Sequence, residues 1–313
     1  MKANRTSATA QVVAGSLLCL AHDGRDAHLL PNDPMHWRAH VLAGNASARA
    51  LRASAGWAPT RAFWRWLARH TLPGAMAHYA RRKARIAWHC QAALAQGAQR
   101  VVVLGAGLDT LALRLAPEHP QVQWVELDHP ATQALKRAGL ARSGCALPAN
   151  LHWQATDLSA PQALQQAMQG WPARPTLFIA EGLLMYLPPA QVSAIVQDVC
   201  STFRPKILDD DPIPLEAANS STADCGTRLI ATYMQRDAQG RASFSPQSPW
   251  IERWLRWRGE PFLWAEQPAQ VPAWAQRHGL QLLAHEAAPF DATSSADAPH
   301  ALRGENLIVA RVR

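Results

Sequence analysis

Val101-Val102-Val103-Leu104-Gly105-Ala106-Gly107-Leu108-Asp109-Thr110 runs from an all-apolar strand directly into a glycine-pinched turn. A second strand, Val122 to Asp128, ends in acid about 20 residues further on. A buried strand, glycines that let backbone N–H groups approach a ligand, and a carboxylate placed for ribose hydroxyls are the parts of a mononucleotide-binding βαβ unit. A dinucleotide fingerprint would carry a third small residue three positions after Gly107, so that the helix could close on the strand beneath a pyrophosphate. Asp109 and Thr110 stand at that helix entrance instead. A carboxylate there repels a pyrophosphate and attracts the ammonium of a cationic ligand.

Outward from this turn the pattern alternates. Apolar runs predict strands at 100–104, 122–127, 150–155, 175–180 and 206–209, and helical periodicity predicts helices at 109–116, 130–140, 161–169 and 189–203. Such alternation implies a parallel sheet covered by helices on both faces, with ligands at the carboxyl ends of the strands. Residues 6–97 carry helix signals only, and Tyr79 to Gln96 reads as one long helix ended by Gly97. A helical cap and lead-in helix over 1–97 is therefore expected before an α/β domain over 98–313. After Asp209-Asp210-Asp211-Pro212 the pattern loosens into a helical stretch to about 236 and a polar, turn-rich segment from Asp237 to Pro249. A substrate-side insertion is expected at about 210–265. A helix near 268–278 and strands at 280–286 and Asn306 to Val312 close the chain, making seven strands in all.

The 313 residues are 48% hydrophobic and 17% charged, enough for a full core and too apolar for disorder. Five cysteines without a C-x-x-C pair suggest neither a disulfide framework nor a zinc site, and a reducing cytoplasm is the expected compartment. The run Val12 to Ala21 behind Lys2 and Arg5 imitates a secretory signal but lacks a small-x-small cleavage site. No run reaches the roughly 18 apolar residues of a membrane span. The net charge of +8 invites a polyanionic partner, and Arg61 to Arg69 and Arg253 to Arg258 interleave arginine with tryptophan. The charge is scattered along the chain, so these segments are expected to be helices with tryptophan toward the core and arginine outside, and no nucleic-acid partner is expected.

Candidate site residues fall at successive strand ends: Gly105, Gly107 and Asp109, then Glu126 and Asp128, then Asp157, then Glu181. Helix capping explains one or two such acids, but Glu181 interrupts the apolar run Phe178 to Pro188, where an unpaired carboxylate is costly. These residues, with Arg81 in His78-Tyr79-Ala80-Arg81, Leu104 to Thr110, Glu126-Leu127-Asp128-His129-Pro130, Thr156-Asp157-Leu158 and Ala180 to Leu187, resemble the ordered motif series of the leucine carboxyl methyltransferase family. That family is a branch of the class I S-adenosylmethionine-dependent methyltransferases and includes bacterial small-molecule O-methyltransferases. The similarity covers residues 75 to 205.

The resemblance implies a Rossmann-like class I methyltransferase fold, S-adenosyl-L-methionine as cofactor, and a small-molecule acceptor methylated on a carboxylate or hydroxyl. It also implies that Arg81 grips the cofactor's carboxylate, Gly105 and Gly107 line the methionine side, and Asp128 holds the ribose hydroxyls with Glu126 close by. Asp157 and Leu158 would bracket the adenine, and Glu181 would face the methionine ammonium, with Asp109 at the helix entrance beside it. The ligand's chemistry matches these residue types, since a carboxylate wants a guanidinium, an ammonium wants acids and a diol wants a bidentate acceptor. Three features depart from the pattern: its N-terminal basic residue has no aligned position, although Lys2 or Arg5 could serve, Thr202-Phe203-Arg204-Pro205-Lys206 stands before Ile207 where a helix-ending glycine precedes the fifth strand, and the acids Asp209 to Asp211 have no counterpart.

Tyr186, five residues after Glu181, is expected to face the acceptor. A hydroxyl acceptor would want a base, with His129 and His152 as candidates, whereas a carboxylate needs none. No metal site is expected: His36 and His40 are spaced i, i+4 without a third ligand, and Asp209 to Asp211 read as a solvated turn. The rival readings are a nicotinamide oxidoreductase, a nucleic-acid methyltransferase, which should show an Asn or Asp-Pro-Pro-aromatic turn where Ala180-Glu181-Gly182 stands, and a non-catalytic S-adenosylmethionine-binding protein.

Overall fold

The computed structural model describes residues 6–24, 27–30, 35–201, 226–237, 239–290 and 301–313. β1 (Arg100–Leu104) is buried along its whole length, as a strand must be that has neighbours on both edges and helices on both faces. It pairs in parallel with β2 (Gln123–Asp128) and β4 (Thr176–Ala180). β3 (Leu151–Ala155) continues the sheet beyond β2, and β5 (Arg228–Gln235) continues it beyond β4, both in parallel. β8 (Glu305–Val312) then runs antiparallel between β5 and β7 (Leu280–Ala287), giving the order β3-β2-β1-β4-β5-β8-β7. A two-residue β6 (Ala265–Glu266) pairs with the end of β5. The expected Rossmann-like, mostly parallel sheet is thus present, and its switch point lies between the carboxyl ends of β1 and β4.

The fifth strand is not where the sequence pattern puts it. The expected strand at 206–209 and the acids Asp209–Asp211 lie outside the described residues. β5 instead occupies part of the stretch expected to be helical up to about 236. Its residues Leu229 to Met234 are all buried, so the strand shows no alternation. A continuous apolar run of that length cannot be told from a buried helix by periodicity.

Alternate residues of the central strands serve different layers. Val101, Val103 and Trp124 pack with α1 (Ala8–Asp23), α2 (Met35–Val41), α3 (Ala46–Gly56), α5 (Ala75–Ala95), α6 (Leu111–Glu118) and α7 (Pro130–Arg142). Val102, Leu104, Val125 and Leu127 pack with α8 (Ala163–Ala167), α9 (Pro189–Ser201) and α11 (Val271–Arg277). The helical N-terminal region therefore joins one face of the sheet and shares its core. A third cluster, with Leu17, Leu20, Tyr79, Met185, Met234 and Phe244, lies beyond the strand ends.

α4 (Ala58–Thr71) and α10 (Pro249–Arg258) carry the arginine-tryptophan segments. Only part of the expectation for them holds. Trp64 and Trp254 are half-buried, but Trp57, Phe63, Trp66, Trp250 and Trp257 are each more than half exposed. Arg253 and Arg258 stack over Trp250 and Trp257, so the arginines cover tryptophan faces outside the core.

One ion pair is sealed between sheet and helix. Lys136 on α7 reaches both carboxylate oxygens of Glu126 on β2, at 2.9 and 2.7 Å, and lies over the Trp153 ring. Burial pushes the Glu126 carboxyl up to about 7, with Lys136 opposing. Removing one partner leaves the other charge buried and alone. Glu126→Ala or Lys136→Met is expected to cost about 3–5 kcal/mol in urea unfolding, and the double variant less than the sum of the two.

Candidate functional site

The glycine turn after β1 has the geometry its sequence promises. Gly105 and Gly107 hold φ of +63° and +54°, which L side chains rarely adopt. A Cβ on Gly105 would sit 2.9 Å from Leu183 Cδ1, and one on Gly107 would sit 3.2 Å from the Ala10 Cβ of α1. Asp128, at the end of β2, ties the turn: one carboxylate oxygen accepts from Gly107 N–H and the other from His129 N–H, the latter at 2.6 Å. Burial raises its pKa while the two backbone N–H groups oppose the rise. Each oxygen keeps a second lone pair, so the carboxylate can still accept from two ligand hydroxyls.

Beside the turn stands a buried charge network carried by α5. Arg82 binds Glu305 of β8 with one nitrogen, at 2.9 and 2.7 Å from its two oxygens, and binds Glu181 at 2.9 Å with others. Lys83 lies 2.9 Å from Asp109 and 3.0 Å from Glu181. His78 closes the far end, with Nε2 2.7 Å from Glu305. Burial lowers the His78 pKa against the pull of Glu305. Burial alone would raise Glu305 and Asp109, but Arg82 and Lys83 respectively outweigh it and hold each carboxyl at about 2. Three carboxylates thus face two cations, with neutral His78 at the edge. Arg38, itself buried, and Arg114 adjoin the same Lys83, Asp109 and Glu181.

A cavity of about 890 Å³ opens over these groups. Its floor is the glycine turn, Asp109, Asp128, Thr156 to Leu158 and Glu181 to Leu183. Its roof is apolar: Val13 and Leu17 of α1, Leu67 of α4, Phe244, Ile251 and Trp254 of α10, and Phe262. Tyr186, in a single turn of 3-10 helix at Leu184–Tyr186, also lines it, its ring tilted against Phe262 with centroids 5.5 Å apart.

Of the candidate residues, the structure brings Gly105, Gly107, Asp109, Asp128, Asp157, Leu158, Glu181 and Tyr186 to the cavity wall. Arg81 and Glu126 are not on it. Arg81 points off the buried stripe of α5, which takes Arg82 three residues after Tyr79 and four before Ile86. That spacing is the signal that singles out Arg82, and Lys83 follows it to the wall. Glu126 shares a face of β2 with Asp128 but sits one pleat deeper, where Lys136 engages both of its oxygens. Thr9, Glu260 and Glu305 were not visible as site residues, because nothing local in sequence marks a contact between the first helix, the segment after α10 and the last strand. Lys2 and Arg5 lie outside the described residues. His40 Nδ1 is 2.9 Å from Cys145 Sγ, and no group of three or more metal-ligating side chains occurs among the described residues.

Comparison with known proteins accords with this geometry. Residues 20–200 match the family described as leucine carboxyl methyltransferase. A relative from Mycobacterium bovis (strain BCG / Pasteur 1173P2), named as a candidate S-adenosyl-L-methionine-dependent methyltransferase, is 39% identical over 127 residues, covering 39% of this chain and 36% of its own. A relative of the same description from Mycobacterium sp. (strain KMS) is 31% identical over 194 residues, covering 58% of this chain and 59% of its own. The chain therefore spans between about a third and three fifths of these relatives. A candidate methyltransferase from Thermobifida fusca shares the fold, with a TM-score of 0.53 at 16% identity over 88% of this chain and 94% of that one.

The network contributes to the acid stability. Glu305 and Asp109 ionise in the fold at about 2, below ordinary values of 4.5 and 3.8, so the unfolded chain binds protons first as pH falls. Their stabilisation is complete above about pH 5 and is lost progressively toward pH 2, on the order of a few kcal/mol. Thermal melting is expected to show that fall, and Glu305→Gln, less stable at neutral pH, should show a shallower one.

Proposed function

The chain belongs to the leucine carboxyl methyltransferase family, and we propose that it transfers a methyl group from S-adenosyl-L-methionine to an oxygen of a small molecule. The observation that carries this reading is the set of carboxylates beside the glycine turn. Asp109 and Glu181 line the cavity there, and Asp128 stands ready for a diol. A pyrophosphate would meet those carboxylates with like charge. A ligand with a sulfonium and an ammonium meets them with opposite charge.

The residues then divide the work. Asp128 would hold ribose hydroxyls while fixing the turn through Gly107. Asp157 and Leu158, at the end of β3, would flank the adenine. Glu181 and Asp109 would take the ammonium, and Lys83 between them offers a cation to the ligand's carboxylate. The bound cofactor supplies an activated methyl carbon, so the protein's part is alignment and exclusion of water. α1 and the apolar roof do both, closing over the turn from Ala10 to Leu17. Held there, the cofactor would give its methyl carbon to an acceptor oxygen and keep the C–S electron pair on its sulfur.

The acceptor is a small molecule on this reading, because the roof offers an apolar chamber of limited size. Tyr186 is its polar landmark.

Calorimetry with S-adenosylmethionine tests the site. Asp128→Ala is expected to weaken binding at least tenfold, about 1.4 kcal/mol, and Lys83→Met to weaken it as well. Wild-type protein that binds NADH but not S-adenosylmethionine would overturn the reading. Binding without S-adenosylhomocysteine formation in a broad screen of hydroxyl and carboxyl acceptors would reduce it to cofactor binding alone.

A further inference from the structure

Beyond that reading and independent of it, we propose that the outer sides of α4 and α10 form a docking surface for an anionic lipid bilayer, set beside the mouth of the cavity. α4 carries Arg61, Arg65 and Arg69 and no acid, and α10 carries Arg253, Arg256 and Arg258 against Glu252 alone. Arg61 and Arg65 pair with Asp23, and Arg256 pairs with Glu252. Among the described residues no carboxylate pairs with Arg69, Arg253 or Arg258, so the surface keeps a positive excess.

The exposed aromatic residues follow the same sides. Along α4, Phe63, Trp66 and His70 are spaced i, i+3, i+7 and form one stripe, with ring centroids 6.1 Å apart for the first pair and 4.7 Å for the second. Trp64, Leu67, Ala68 and Thr71 take the opposite side and line the cavity. Along α10, Trp250, Arg253 and Trp257 repeat the outer spacing, and Arg253 and Arg258 lie over the Trp250 and Trp257 rings. Ser248 N–H donates to the Thr71 carbonyl at 2.7 Å and so joins the start of α10 to the end of α4. Val12, Trp250 and Leu263 are 43%, 66% and 48% exposed and still line the cavity, which gives its mouth an apolar rim beside the arginines.

The chemistry of this surface selects its partner. Core packing accounts for the inner sides of both helices, but exposed tryptophan under arginine gains nothing from the core. Both residue types suit the headgroup boundary of a bilayer, where a ring lies among the upper acyl chains and a guanidinium meets phosphate. A second copy of this chain would set the same arginines against one another. A nucleic acid would answer the arginines but not the apolar rim formed by Val12 and Leu263. Docking of this kind needs no spanning segment, and none of the described helices is long and apolar enough to cross a membrane.

The test sediments the full chain, without cofactor, with vesicles of phosphatidylcholine alone or with about one third phosphatidylglycerol. Wild type is expected to bind the anionic vesicles about tenfold or more tightly than the neutral ones, and to lose most of that binding as sodium chloride is raised to about 0.5 M. Arg253→Glu with Arg258→Glu, and separately Trp66→Ser with Trp257→Ser, should each weaken binding about tenfold. Arg253→Lys with Arg258→Lys should keep most of it. None of these four residues lines the cavity, so S-adenosylmethionine affinity and the melting temperature should stay at their wild-type values in every variant. Equal binding to both vesicles, binding to neither, or unchanged binding in both paired variants would overturn the inference. Tighter capture by a single-stranded oligonucleotide than by anionic vesicles, or a dimer dissolved by the same substitutions, would overturn it as well. Failure to bind S-adenosylmethionine would instead overturn the methyltransferase reading and leave the vesicle result standing.

Discussion

Two adjacent cations on one helix, Arg82 and Lys83 of α5, hold the site together. They reach Glu305 on the last strand, Glu181 after β4 and Asp109 after β1, so one turn of helix fixes three separate strand ends. Charges buried this deeply are tolerable only when each has a partner and well-formed hydrogen bonds. That requirement fixes the register of the helical region on the sheet. A shift of α5 by a single residue would rotate Arg82 away and strand Glu305 in the interior. Asp109 and Glu181 also line the cavity, and so the constraint that locks the fold sets acids on its wall.

The cavity exists because the N-terminal helices close over the open end of the sheet. α1 passes above the glycine turn closely enough for Ala10 to limit what Gly107 can be. Its first turn is held from the opposite side by Glu260 and by Thr132 of α7, which accepts from Ser7 N–H at 3.1 Å. The cofactor side of the chamber is therefore charged and built from strand ends, while the acceptor side is apolar and built from helices. That division follows from the architecture. Strand ends at a switch point present turns and backbone donors, whereas packed helices present side chains alone.

Much of this was legible in the sequence. β1 to β4 and the helices between them follow from apolar runs and punctuation at Gly97, Gly105 and Pro130, and the acids at strand ends follow from position. Sequence reading reaches less far where burial is symmetric or contact is remote. β5 has no alternation because both of its faces are covered, so its run of apolar residues carried no period. Arg81 and Arg82 differ in sequence only by one step, but by about 100° around the helix, and only the buried stripe of α5 separates them. The tryptophans of α4 and α10 share one composition and divide between cavity wall and solvent, a choice made by what each helix packs against.

By itself the sequence determined the alternation of strand and helix, the glycine turn, and the acidic residues that follow β1, β2, β3 and β4. These are local properties: φ above zero demands glycine, a strand between two helical layers demands apolar residues, and a run of strand ends is the place for polar groups. Only the tertiary structure decided which cations answer those acids, that Lys136 engages both oxygens of Glu126, and that Thr9 meets Glu260. Pairing among buried charges spans as many as 223 residues of chain, as between Arg82 and Glu305, and no local preference encodes it. It is fixed when the core packs, because that is when an unpaired charge becomes too costly to leave.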